Sequence, residues 1–161
     1  MRHLILGLAF MLLLGEGVFA FEIDGLRSGM SLDQATKAME SLSYEKIEIR
    51  ENSVMAYDKS TEGGRLISAT FCKGKLVQAQ KHLQPRFDHF VRLVEQKTKD
   101  LGRPTAAWTR PADVESRIIS NSVSFLWHDG PTSVTVSYTE FPSTRQLDIV
   151  YEIKNSCWQV P

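Results

Sequence analysis

Four histidines, two cysteines and a set of aromatic residues are the side chains on which chemistry could rest. The histidines are His3, His82, His89 and His128. None has an i,i+4 companion of the kind that holds zinc on a helix, so they are read as rim or surface residues and no metal is expected. There is no Gly-x-Ser-x-Gly elbow and no cysteine in a catalytic setting. Gly63-Gly64 reads as a turn, not a phosphate loop. A nucleophile–His–Asp triad needs no closeness in sequence, which keeps a hydrolase as the third and weakest reading. The expectation is therefore a protein that is not an enzyme, with no catalytic residue and no cofactor.

The cysteines, Cys72 and Cys157, are an even pair. In an oxidising compartment they are expected to form one disulfide closing a loop of 86 residues; the alternative is two separate thiols. Of the aromatic residues, Trp127, Tyr138 and Tyr151 fall in alternating runs and read as packing. Trp108 and Trp158 lie outside the strongest runs and are candidate interface residues, since tryptophan is common at binding hot spots. Ser68, Thr70, Gln78, Gln80, Ser124, Thr135, Ser137 and Thr139 are expected on one polar strand face. Such a face is solvated sheet unless two units join into a curved docking surface.

The elements that must position these residues follow from local pattern. Ser31-Leu32-Asp33-Gln34 is a capping box opening a helix whose buried stripe is Leu32, Ala35, Met39 and Leu42. Pro85 suits the first helical position of a second helix within Gln84–Pro104, which Gly102 and Pro104 end. Phe87, Phe90, Val91, Val94 and Leu101 form its expected stripe, with Asp88–Arg92 and Glu95–Lys99 pairs on the wet side. Strands are expected over 46–50, with Ile47 and Ile49 inward, and over 53–58, 65–72 and 75–83. A tight turn at Lys73-Gly74 joins the last two, and Ile67, Ala69, Phe71, Val77 and Ala79 share their core face. After the second helix, strands are expected over 105–109, 118–128, 133–141 and 146–154. Their inward residues are Val123, Phe125, Trp127, Val134, Val136, Tyr138, Leu147, Ile149, Tyr151 and Ile153.

The fold class expected is α+β: two tandem helix-plus-antiparallel-meander units, residues 21–83 and 84–161, with helices packed on one face of the sheet. Residues 1–20 read as a signal peptide. Arg2 and His3 give a basic start, 4–14 an apolar run too short for a comfortable span, and Val18-Phe19-Ala20 a small-x-small step. Cleavage near Ala20 would leave a periplasmic or secreted chain with no transmembrane segment. Charge is balanced at 19 basic against 19 acidic residues, which excludes the basic footprint of a nucleic-acid binder.

The Gly29-Met30-Ser31-Leu32-Asp33-Gln34-Ala35 step opening a short helix resembles the β-lactamase-inhibitor-protein-like superfamily. That group includes the small lipoproteins of the outer-membrane barrel-assembly machinery. Leu101-Gly102-Arg103-Pro104 is similar to the Leu-Gly-x-Pro that ends the helix of such units. The second half has no Gly-Met-Ser, and the lipoprotein cysteine is missing. The resemblance implies a non-enzymatic, protein-binding module of the bacterial cell envelope whose sheet face grips another envelope or secreted protein. The alternative is a small-ligand or lipid-binding periplasmic protein with an apolar cavity between helices and sheet.

Overall fold

The computed structural model describes residues 20–58, 66–113 and 119–158. The chain opens with a small hairpin, β1 (Glu22–Ile23) and β2 (Leu26–Arg27), turning through Asp24 and Gly25 at positive φ. Then come α1 (Leu32–Glu40), β3 (Lys46–Arg50), β4 (Ser53–Tyr57), β5 (Leu66–Cys72) and β6 (Lys75–Leu83). The second stretch is α2 (Phe87–Leu101), β7 (Ala106–Asp113), β8 (Ile119–Asp129), β9 (Thr132–Glu140) and β10 (Arg145–Ile153).

Two independent tandem units are not what forms. The molecule is mostly β, and β3–β10 make one antiparallel sheet of eight strands in the order β3-β4-β5-β6-β10-β9-β8-β7. The seam is β6 against β10, from Gln78↔Glu152 to Leu83↔Leu147. The physical reason is edge chemistry: separate units would leave two nine-residue strands, β6 and β10, with a bare row of backbone donors and acceptors. Pairing them satisfies both rows at once. Two core clusters lie under the two helices, and Tyr151 and Ile23 pack against both, so the helices share one face of the sheet.

Ser31 caps α1 as its capping box requires, its hydroxyl accepting from the Gln34 N–H while the Gln34 side chain accepts from the Ser31 N–H. The Gly29-Met30 step before it is tied to the start of β6 by Gly29 N–H to Leu76 O and Leu76 N–H to Met30 O, both 2.8 Å. Gly29 sits at φ 84°, which a side chain would strain. At the other helix, α2 begins after Pro85, with Arg86 as an N-cap that makes no side-chain cap bond. Gly102 ends it, and the Gly102 carbonyl accepts the indole N–H of the fully buried Trp127 at 3.1 Å.

Several inward assignments shift. Phe90 is buried, and Leu93, Val94 and Leu101 pack on the core, but Phe87 and Val91 stay 59% and 48% exposed. Ile49 is 59% exposed because it lies at the end of the edge strand β3. Val77 is buried, and Leu76, which is outside the expected inward set, joins Phe71 in the core cluster. A register shift between Thr70↔Gln78 and Phe71↔Leu76 leaves Val77 as the extra residue of a bulge. Lys73 and Gly74 form the tight turn, both at positive φ.

Candidate functional site

The face opposite the helices is where the sequence-proposed polar residues collect. One register line crosses all eight strands: Lys46, Tyr57, Leu66, His82, Asp148, Ser137, Ser124 and Trp108. A second runs Glu48, Met55, Ser68, Gln80, Val150, Thr135, Leu126 and Ala106. A third aligns Thr70, Gln78, Glu152, Ser133 and His128, and a short fourth aligns Thr139 with Gln146 and Ser122. Ser68, Thr70, Gln78, Gln80, Thr135, Ser137, Thr139 and Trp108 are all half-buried, as expected of one flat polar surface.

The centre of this face is a hydrogen-bonded carboxylate. Asp148, only 8% exposed, accepts from the His82 Nδ1–H, from Gln80 Nε2 at 3.2 Å and from Gln146 Nε2 at 2.7 Å. Burying a carboxylate is costly unless its lone pairs are filled, and here three side chains fill them. Ser124 and Ser137 share a 2.8 Å hydroxyl contact beside it. His82, Asp148 and Ser137 stand side by side on three neighbouring strands, with the acid in the middle. That order keeps Ser137 about 10 Å from the imidazole, so the three do not relay a proton from serine to histidine.

The second carboxylate, Glu152, is also 8% exposed and accepts the indole N–H of Trp158. The tail that carries Trp158 is folded back by a turn in which Asn155 Oδ1 accepts from the N–H groups of Cys157 and Trp158 at 2.9 and 3.2 Å. The Cys72–Cys157 disulfide, with Cα atoms 5.8 Å apart, clamps it to the end of β5. The two tryptophans thus sit at separate margins of one face: Trp108 on the outer strand β7, Trp158 at the tail corner.

Sequence reasoning missed part of this surface. Met55, Tyr57 and Leu66 form an apolar cluster at one side, and Trp108 with Leu126 another, with the Gln80–His82–Asp148 network between them. Strand parity carries the signal: once Val54 and Ala56 are inward, Met55 and Tyr57 must point the other way, and Asp148 and Glu152 follow from Leu147 and Ile149. No local pattern announces that β6 and β10 meet. At the outer strand β3, Glu48 accepts from Lys46 and from the Tyr57 hydroxyl. The hydrogen bond to the Lys46 ammonium, then that from Tyr57, holds the Glu48 carboxyl down at about 2, and the same Glu48 contact raises Lys46 to about 12.

The histidines do not converge. His82 is on the open face, His89 Nδ1 lies 3.3 Å from the Gln84 carbonyl on α2, and His128 Nδ1 is 3.2 Å from the Ser133 hydroxyl. Among the described residues no group of three or more His, Cys, Asp or Glu could hold a metal ion, and no helix is long and apolar enough to cross a membrane. On the helix side, a groove of about 420 Å³ runs between Phe87 and the outer strands, lined by Thr109, Val123 and Tyr138. Compared with protein-family models, curated proteins and solved structures, the chain matches none.

Proposed function

We propose that this chain is an exported protein of the bacterial cell envelope that binds another envelope or secreted protein on the open face of its sheet, without catalysis. The observation that carries the reading is the asymmetry of the two faces. One is taken up by α1, α2 and two apolar cores. Across the other, among the described residues, only the disulfide-clamped tail lies. That face combines what protein interfaces use: apolar clusters at two sides, tryptophans at its margins, and neutral hydrogen-bonding groups held flat by strand register. The Cys72–Cys157 bridge and the signal-like residues 1–20 support an oxidising, extracytoplasmic setting. The resemblance of Gly29-Met30-Ser31 to the envelope superfamily supports the same compartment.

The test is photo-cross-linking from the face in intact cells. A photoreactive residue at Ser68 or Thr135 should yield the same discrete adduct, while one at exposed Lys99 on the outer side of α2 should not. Adducts from all three positions alike, or from none, would count against it. A small-ligand reading is favoured only by the groove beside Phe87; native mass spectrometry of the exported protein would show added mass if it holds.

A further inference from the structure

Ala20, the residue after which cleavage is expected, is held at both its backbone groups. Its N–H donates to the Ser28 hydroxyl at 2.8 Å, and its carbonyl accepts from the Thr132 hydroxyl at 2.7 Å. Both of those residues are buried, Thr132 to 1% exposure. Phe21, the next residue, is buried in the core under α1, its ring centroid 6.0 Å from that of Tyr151, which packs on both cores. The Phe21 N–H lies 3.4 Å from the same Ser28 hydroxyl, and the Phe21 carbonyl accepts the Ser28 N–H at 3.1 Å. Between this entry, the end of α2 and the turn from β8 to β9 is a cavity of about 270 Å³. Among the described residues its charged lining is Glu22, Asp100 and Asp129 against the one cation Lys97. Glu22 is paired with Arg27 at 3.0 Å, and Lys97 donates to the Tyr151 hydroxyl at 2.9 Å.

We propose that this cavity is the seat of the processed N-terminus: the α-ammonium of Phe21, released when Ala20 leaves, is held by the Ser28 and Thr132 hydroxyls and faces the carboxylates of Asp100 and Asp129. The seat rests on the export reading of residues 1–20. In the cleavage, the oxygen of one water joins the Ala20 carbonyl carbon, which departs as a carboxylate. Both hydrogens of that water end on the Phe21 nitrogen, which becomes an ammonium with three donors in place of one. Loss of Ala20 alone would strip the buried Thr132 hydroxyl of its acceptor, and a buried polar group without a partner is costly. A hydroxyl accepts as readily as it donates, so the ammonium can be bound by Thr132 as well as by Ser28. Its charge offsets part of the acidic excess of the cavity, and carboxylates nearby favour the charged amine. The free start of a chain frays unless it is tied down. Here the tie would lie beside Tyr151, where the two cores meet.

The amine itself is the probe. Mass analysis of the exported chain should place its first residue at Phe21. An NMR titration of the Phe21 amine in that folded chain should then show a midpoint roughly one unit above the ordinary value of about 7.7–8.0, returning to the ordinary value in denaturant. Asp100→Asn together with Asp129→Asn, which keeps the shape of both side chains, should bring the folded midpoint back toward the ordinary value. An ordinary midpoint in the unaltered folded chain overturns the proposal, and so does a raised midpoint that the double variant leaves in place. An exported chain that keeps residues ahead of Phe21 overturns it too. The two readings fail separately: an uncut chain of all 161 residues removes the export reading along with the seat, whereas a chain that starts at Phe21 and titrates ordinarily removes the seat alone.

Discussion

The two halves of the helix-side core solve the same covering problem with opposite residues. Under α1 the sheet is floored by Ala56, Ala69 and Ala79, and α1 itself brings Ala35 and Ala38 to it. Under α2 the floor is aromatic: Phe125, Trp127 and Tyr138 meet Phe90 with ring centroids 5.6–6.1 Å apart in successive pairs. Small residues let a nine-residue helix lie close and seal its half with help from β1 and β2. Large rings face a fifteen-residue helix: Phe87 meets the Tyr138 ring edge-on at 5.6 Å yet stays largely exposed, as does Val91, and a groove lies beside them. One half is closed mainly by small residues, the other by rings in contact, and each leaves some apolar surface outside: Ile49 at the edge of the first, Phe87 and Val91 on the helix of the second.

The largest test severs what ties the halves at their far ends. The disulfide joins β5 to the tail after β10 across 85 residues, and loop-closure arguments put it at about 4–5 kcal/mol. Cys72→Ala with Cys157→Ala should lower the denaturation free energy toward that amount and release Trp158 from Glu152, seen as a shift in tryptophan emission. Unchanged emission would show that the tail is held without its clamp. Next, Trp127→Ala removes the keystone of the aromatic half together with its bond to Gly102, and should cost about 3–5 kcal/mol in chemical denaturation. A cost below about 1 kcal/mol would mean the stacked half is not what seats α2. The complementary change is Ala79→Leu, at a fully buried site opposite Ala69. Overpacking there should cost about 1–3 kcal/mol. Were it neutral, the close approach of α1 would not depend on small residues. Smaller still, Ser31→Ala breaks the capping box and should cost about 1 kcal/mol.

These tests also separate what was legible from what was not. Signals confined to a few residues read correctly: Ser31 with Gln34, Lys73-Gly74, Gly102, the Asp88–Arg92 and Glu95–Lys99 pairs, and the cysteine pair. The helix–strand rhythm was also real, but it does not say which strands meet. Gln78 and Glu152 lie far apart in sequence, and only the need to pair two long strand edges brings them together. The same gap hid the open-face network, because Asp148 gains its meaning from His82 and Gln80 on a strand met only in space. Val77 is buried as expected, but a one-residue bulge beside it brings Leu76 into the core as well, which period-two reasoning does not anticipate. Phe87 and Val91 sit at correct helical spacing, yet spacing alone cannot tell which members of a stripe end up covered. The signal-like residues 1–19 lie outside the described residues.

The least costly test concerns the outer strand β3. Glu48 is held at about 2, below its ordinary 4.5, by hydrogen bonds from Lys46 and Tyr57. A carboxylate with a depressed folded value adds stability that is present above the unfolded value and is lost as pH falls through about 2. Lys46, raised to about 12 from 10.5, adds stability that is full below 10.5 and lost as pH rises through about 12. Both side chains are only partly covered, 42% and 30% exposed, so solvent screening keeps the effect on global stability small and the titration itself is the measure. Carbon-detected NMR of the Glu48 carboxyl should show a midpoint near 2, moving upward in Tyr57→Phe and further in Lys46→Ala, the larger contact. A midpoint at the ordinary 4.5 in the unaltered protein would show that the charges of β3 are carried side by side rather than as a network locked to the strand.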